Sequence, residues 1–392
     1  MNLIVNKDIL LTKEGEIMKR FKICFLFLMA FIMPAIVKAS INDIPELKTE
    51  EELINCFTTG GYCKLGADLK LGSELSIDKT AVLDLNGHTL MPADDLKKQG
   101  GFIQVERGAN LTIKDSVGSG KISTGAADNS NVWGAIQLIY ANKDSDKLAE
   151  LTVDSGTIEG YYYGIVGNGK NHNSKVTING GTIKGLNEED SVGIYQPQIG
   201  TLTVNGGTIK GGTGIEIRSG TLTVNKGTIE GTAPKFVKMK NTNGSTTNGV
   251  GVAVAQHTTK NAIDVTINGG NISGQYAFYE WNPHSNSRTD LDKISIKITG
   301  GTFTGTADGV STVYSEDFTD FISGGTFNKS VAEYLTEDAT VTSKLMDNEI
   351  ALEKKSSKGS TVAVVISLIV IVTAMIGAYL YFNKTKNFPK FS

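Results

Sequence analysis

Leu202–Lys210 reads LTVNGGTIK, and this stretch returns with small edits along most of the chain. Each copy joins two short apolar/polar alternations through an Asn-Gly-type corner, where glycine supplies the positive φ angles that a tight turn needs. Self-similarity at a period of roughly 20–30 residues is typical of a solenoid. The other copies are LTVDSGTIE from Leu151, VTINGGTIK from Val176, LTVNKGTIE from Leu222, VTINGGNIS from Val265 and the looser IKITGGTFT from Ile296.

The alternation within the motif predicts which residues form a core. Successive strand residues point to opposite faces, so Leu202, Val204 and Ile209 face one side and Thr203 faces the other. A third strand, predicted at Gly214–Ile217, completes the repeat. Strands this short cannot form a flat sheet and must wrap around their own apolar residues. We therefore predict an all-β, parallel solenoid of about nine coils over residues 67–335, with insertions at the corners.

Two outward-facing columns follow from aligning the copies. A column of threonines suits strand pairing. Beside it runs a column that resembles an asparagine ladder, in which side chains bind the corner backbone from coil to coil. Asp115 and Asp154 fall in this column, and we interpret them as corner caps rather than catalytic acids. The ladder column reads Asn86, Asp115, Asp154, Asn179, Asn205, Asn225 and Asn268.

The segment before the repeats predicts a cap at residues 44–66. Ile44–Phe57 has the pattern of an amphipathic helix, with Thr49 and Glu52 placed to form a capping box. Leu53, Ile54 and Phe57 would share its apolar face. A solenoid needs such a cap because its open end exposes apolar side chains and unpaired strand edges. At the other end, the sequence predicts terminal strands and a polar linker over residues 336–360.

Both ends of the chain carry sequence patterns typical of export and membrane anchoring. Residues 18–39 combine a basic start, an apolar core and small residues before Ser40, which predicts a signal peptide; an uncleaved anchor is the alternative. Residues 1–17 then look like an upstream artefact, with Met18 as the true start. Residues 361–382 are apolar without interruption and long enough for a transmembrane helix. Residues 383–392 would be a cytoplasmic tail, which places the repeats outside the cell as a single-pass ectodomain.

Cys56 and Cys63 are the cysteines left after the predicted leader is removed. In an exported chain they could form a disulfide bond, and two free thiols are the alternative.

The repeats resemble right-handed parallel β-helix proteins of the pectate-lyase-like superfamily, and most closely bacterial cell-surface proteins with NGGTI-type repeats. TEEELINCFTTGGYCKLGADLKL followed by AVLDLNGHTL resembles the start of such a helix, and GGTFNKSVAEYL resembles its end. The resemblance covers roughly residues 49–335. It implies fold and compartment but not activity, since this fold hosts many functions.

No catalytic set emerges from the sequence, and no metal-ligand spacing or cofactor motif is visible. Arg107, Arg218 and Arg288 show no acid pair beside them in the predicted register. Aromatic residues of the third strands and their loops are the remaining candidates for a binding surface. They are Trp133, Tyr161, Tyr162, Tyr163, Tyr195, Tyr279, Trp281 and Tyr314. Tyr195, Tyr279 and Tyr163 are predicted to point outward, with Trp281 nearby. Ordinary cross-strand packing under the insertion loops is the interpretation we prefer for these residues.

Three functional hypotheses remain. The first is a membrane-anchored surface protein that binds a glycan or a cell-surface protein without catalysis. The second is a polysaccharide lyase or glycoside hydrolase, whose acids would be Asp84, Asp94, Asp95 and Asp128. The third is a structural spacer. The net charge of -3 and the absence of a basic stripe give no reason to expect nucleic-acid binding.

Overall fold

The computed structural model describes residues 44–96, 100–125, 132–139, 147–169, 173–345 and 349–353. The predicted signal peptide, transmembrane helix and cytoplasmic tail lie outside these residues. Within the described ranges, no helix combines the length and apolar character needed to cross a membrane.

Short parallel strands in three rows make up most of the structure, and one strand from each row forms a coil. Identical motif positions pair from coil to coil, as when Leu202 lies between Val176 and Leu222. This parallel stacking is consistent with the predicted β-helix solenoid. First-row strands are Glu46–Leu47, Gly61–Leu65, Thr80–Asp84, Asn110–Lys114, Ala149–Val153, Ser174–Ile178, Gly200–Val204, Gly220–Val224, Ile263–Ile267 and Ile294–Ile298.

The second row continues the sheet of the first, and the third row forms a separate nine-stranded sheet. Second-row strands are Leu69–Leu71, Thr89–Pro92, Lys121–Ser123, Thr157–Gly160, Thr182–Gly185, Thr208–Gly211, Thr228–Gly231, Asn271–Gly274 and Thr302–Gly305. Third-row strands are Leu75–Ile77, Gly100–Val105, Val132–Leu138, Tyr163–Val166, Val192–Gln196, Thr213–Ile217, Val250–Val254, Tyr276–Glu280 and Val313–Ser315.

The core runs through the middle of the stack, where the motif places its apolar residues. Leu202, Val204 and Ile209 are fully buried, and burying such a side chain stabilises the fold by about 1.5–3 kcal/mol. Gly207 turns the corner with a φ of 79°, and a Cβ there would lie 2.8 Å from the carbonyl oxygen of Gly181 in the preceding coil. Only glycine therefore fits this corner without moving the neighbouring coil.

The asparagine ladder is present on the outside of the corners. Asn179 donates to Asp154 at 2.8 Å, Asn205 to Asn179 at 3.0 Å, and Asn225 to Asn205 at 2.9 Å. Asn268 continues it by donating to Asn225 at 3.0 Å. The ladder therefore joins successive coils as predicted, but its bonds run from side chain to side chain and not to the corner backbone.

Helix α1 (Glu50–Thr59) covers the first coil. The predicted capping box is confirmed, because Thr49 accepts from the backbone of Glu52 while the Glu52 carboxylate accepts from the backbone of Thr49. Leu53 and Phe57 are buried in the core. Ile54 is 37% exposed, so the prediction that it shares their apolar face is wrong.

The stack begins earlier than the first recognisable repeat. Gly61–Leu65 pairs in parallel with Thr80–Asp84, so a full coil forms from a segment predicted in part as cap. This coil lacks the Asn-Gly corner motif, so repeat alignment does not detect it. A disulfide bond joins Cys56, in α1, to Cys63, in this first coil.

The remaining elements interrupt or close the stack. A short antiparallel pair, Val237–Lys238 with Thr247–Asn248, lies within an insertion between the second and third rows. Helix α2 (Arg288–Leu291) lies within another insertion. Ile322–Phe327 adds to the first and second rows, a 3-10 helix follows at Ala332–Tyr334, and Leu335–Leu345 pairs antiparallel with Glu349–Glu353.

Candidate functional site

The outer face of the third row carries the predicted aromatic candidates, but insertions cover most of them. Tyr195 is aligned with Val166 and Glu216, and Tyr279 with Ala253 and Tyr314, in a column that faces away from the main core. Tyr195, Tyr279 and Trp281 are only 6%, 3% and 5% exposed. The expectation of an exposed aromatic column is therefore wrong for these three residues, because the insertions fold back over the strands.

Tyr163 behaves differently, since it is half-buried and belongs to an aromatic group with an open side. Its ring lies 6.0 Å from Trp133 in an edge-to-face arrangement and 5.4 Å from Tyr195. Tyr162 lies 6.5 Å from Tyr163 and is also half-buried. Trp133 and Tyr162, two further aromatic residues of the third strands and their loops, thus form one aromatic surface with Tyr163.

A buried ion pair holds the 232–248 insertion onto this face. Glu216 and Arg218 are both fully buried, with the Arg218 Nε atom 4.0 Å from a Glu216 carboxylate oxygen. The Glu216 carboxylate accepts from the Thr246 backbone at 2.9 Å, the Thr246 hydroxyl at 2.8 Å and the Thr247 hydroxyl at 3.2 Å. Burial raises the pKa of Glu216, whereas Arg218 and the threonine donors lower it.

The guanidinium of Arg218 also helps to hold the insertion in place. It donates to the carbonyl oxygens of Ala255 at 3.2 Å and Gly244 at 2.8 Å. It also lies 2.5 Å from the Nε2 atom of His284. Burial and the nearby Arg218 lower the pKa of His284 to about 4, so His284 is neutral at pH 7 and its Nε2 atom accepts from Arg218.

Sequence reasoning missed this pair. Arg218 has no acid pair beside it, but it does have a single acid, Glu216, which lies in the strand Thr213–Ile217 that ends just before Arg218. Opposite charges at positions i and i+2 of an otherwise apolar third strand were the available signal.

A cleft of about 620 Å³ opens between the insertion and three neighbouring third-row strands. Its size falls within the range of about 300–1,000 Å³ that is usual for ligand sites. One wall is aromatic, and the opposite wall is insertion backbone and amide side chains. The lining residues that carry the argument are Trp133, Tyr162, Tyr163, Asp190, Asn241 and His257.

Hydrogen bonds order the insertion wall of the cleft. The side chain of Asn241 accepts from the backbone of Asn243 at 2.9 Å and donates to the carbonyl oxygen of Ser245 at 3.1 Å. The carbonyl oxygen of Gly244 accepts from Tyr195 at 2.9 Å, which ties this wall to the strand below it. The wall is therefore formed before any ligand arrives, which lowers the ordering cost of binding.

The acids proposed for catalysis do not form one site. Asp84 is buried and accepts from the Tyr62 hydroxyl at 2.6 Å and from the backbone of Ser116 and Asn86. Burial alone would raise the pKa of Asp84, but these hydrogen bonds lower it overall. Asp94 is exposed and pairs with Lys70 at 3.4 Å. Asp95 is also exposed, and Asp128 lies outside the described residues.

Other charged candidates have structural partners. Asp115 accepts from the backbone of Gly87 at 2.8 Å and Gly120 at 2.6 Å, as expected for a corner cap. Lys210 pairs with Glu230 at 2.6 Å across adjacent coils. In the described part of the chain, no group of three or more histidine, cysteine or acidic residues is placed to hold a metal ion.

No protein-family model, curated protein or solved structure matches this chain, so the fold and the cleft are the basis for any functional conclusion.

Proposed function

We propose that this chain is a membrane-anchored, cell-surface right-handed parallel β-helix that binds a glycan in the third-row cleft without catalysis. The signal-peptide and transmembrane patterns support the location. The Cys56–Cys63 disulfide bond supports it independently, because such bonds persist in oxidising compartments outside the cytosol.

The cleft is the observation that carries the proposal. It places half-buried aromatic rings, from Trp133, Tyr162 and Tyr163, near amide and backbone groups of the insertion and the carboxylate of Asp190. Sugars present apolar ring faces edged by hydroxyl groups, and aromatic rings with neighbouring hydrogen-bonding groups complement both features.

The placement of the acids favours binding over hydrolysis. Glycoside hydrolysis ordinarily uses two carboxyl groups within about 10 Å of each other across the scissile bond. Among the described lining residues, Asp190 is the one carboxylate. Glu216 lies beneath the insertion with its oxygens occupied by Thr246, Thr247 and Arg218.

A glycan array probed with the purified full chain tests the proposal. We expect binding that is lost in Trp133→Ala. Tyr314→Ala is the matched control, because Tyr314 is also a half-buried aromatic on the outer face of the third row but does not line the cleft. Binding that survives Trp133→Ala would contradict the cleft as the site. A blank array would favour a structural spacer, and release of reducing sugar from bound polymers would favour an enzyme.

A further inference from the structure

The charges around the cleft bear on which glycans it can hold. Among its described lining residues, the charged group at neutral pH is the carboxylate of Asp190, which is exposed at the rim. Desolvation by its neighbours raises the pKa of Asp190, and the hydrogen bond from Ser245 opposes this rise. Burial and Arg218 lower the pKa of His257, which leaves its imidazole neutral.

The nearest buried cation cannot serve a ligand. Arg218 is fully buried beneath the insertion and does not line the cleft. Its donors are directed to the carbonyl oxygens of Gly244 and Ala255, the hydroxyl of Tyr195 and the ring of His284. A ligand carboxylate could reach this guanidinium only by displacing the insertion wall.

A negatively charged sugar would therefore enter a site whose described lining offers a like charge and no compensating cation. Like charges brought together across an interface are strongly unfavourable, and an unpaired carboxylate loses hydration on entering a cleft. A neutral sugar meets no such cost. Its hydroxyl groups can donate to Asp190, since an ionised carboxylate acts only as an acceptor.

We infer that the cleft selects neutral glycans over uronate-containing ones, an inference that rests on the proposed glycan-binding function. Asp190 acts both as a hydrogen-bond acceptor for sugar hydroxyls and as the group that rejects a sugar carboxylate. The aromatic wall of Trp133 and Tyr162 supplies the stacking surface that either class of sugar would use.

The test compares neutral and anionic hexasaccharides of the same length. The probes are cellohexaose, xylohexaose and chitohexaose against a hexamer of galacturonic acid, titrated into the purified full chain at low salt. We expect at least one neutral probe to bind ten-fold or more tightly than the galacturonate hexamer. Asp190→Asn should reduce the ratio of neutral-probe affinity to galacturonate affinity, because it removes the like charge. Asp264→Asn is the control, since it makes the same charge change on the exposed first row.

Two results would overturn the inference while leaving the proposed function intact. One is tighter binding of the galacturonate hexamer than of every neutral probe. The other is an unchanged ratio of neutral-probe affinity to galacturonate affinity in Asp190→Asn. Failure of all four probes to bind, together with a blank glycan array, would overturn the inference and the proposed function together.

Discussion

Arg218 donates a hydrogen bond to the hydroxyl of Tyr195 over 3.1 Å, and both groups also donate to the carbonyl oxygen of Gly244. A residue of one coil, a residue of the previous coil and the insertion are thereby fixed at one point. The cleft depends on this junction, because Gly244 belongs to its insertion wall.

Arg218→Met is expected to lower the stability of the fold by about 3–5 kcal/mol. The substitution keeps the side-chain length but leaves the Glu216 carboxylate buried without its cation, and removing one partner of a buried pair is strongly destabilising. The midpoint of urea unfolding measures the effect. The matched control is Arg288→Met, whose side chain is 61% exposed and should change stability by less than about 1 kcal/mol.

The double variant Arg218→Met with Glu216→Gln distinguishes two causes of lost stability, the uncompensated charge of Glu216 and the lost packing of the Arg218 side chain. Because it removes the uncompensated charge, it should be more stable than Arg218→Met alone. Equal midpoints for Arg218→Met and Arg288→Met would contradict the assigned role of the pair.

Glu280 should make the protein less stable as the pH rises. Burial, together with the charges of Asp317 and Glu316, raises the pKa of Glu280 to about 7 despite the opposing hydrogen bonds from Ser315 and the Asp317 backbone. The Glu280 Oε1 and Asp317 Oδ2 atoms are buried without hydrogen-bond partners, which favours a protonated carboxyl at this position.

The folded state therefore holds the Glu280 proton more tightly than the unfolded state does. The resulting stability is fully present below the ordinary pKa of 4.5 and is lost as the pH rises through about 7. We expect a loss of about 3 kcal/mol over that range, which Glu280→Gln should largely abolish. Urea midpoints at several pH values check this. Glu188→Gln, at an exposed position, should keep the wild-type pH dependence; an unchanged profile in Glu280→Gln would refute the assignment.

The disulfide bond should stabilise the junction between α1 and the first coil. Cys56 and Cys63 are seven residues apart, and closing so short a loop is worth about 2–3 kcal/mol in the chain-entropy model. Reductant should therefore lower the thermal midpoint of the wild-type chain. The double variant Cys56→Ser with Cys63→Ser should start at the lower midpoint and not respond to reductant. A wild-type midpoint insensitive to reductant under conditions that break the bond would contradict this prediction.

The repetitive part of the molecule could be predicted from the sequence because each repeat position has one structural role. The predicted strand Gly214–Ile217 is observed as Thr213–Ile217, and the asparagine ladder from Asp154 to Asn268 follows its column. Period-2 alternation and coil-to-coil alignment suffice for such features.

The cleft could not be predicted in the same way. Tyr195 and Tyr279 do lie on the outer face of the third row, but their burial depends on insertions that have no repeat to align. The charges of Glu216 and Arg218 can be read from the sequence, but their burial depends on Thr246 and Gly244 lying above them, and nothing local in the sequence fixes where residues 232–248 fold. Trp133 and Tyr162 are recognisable in the sequence as third-row aromatics, but their place on a cleft wall depends on the same insertion.

The affinity of a neutral glycan for wild-type and Trp133→Ala protein, measured by calorimetry on the full chain, tests the binding cleft most directly. Truncating an aromatic anchor in a binding site commonly costs 1.4 kcal/mol or more, so we expect about a tenfold loss of affinity or greater. Tyr314→Ala should bind as the wild type does. Equal affinities for wild-type and Trp133→Ala protein would show that the glycan does not bind in this cleft.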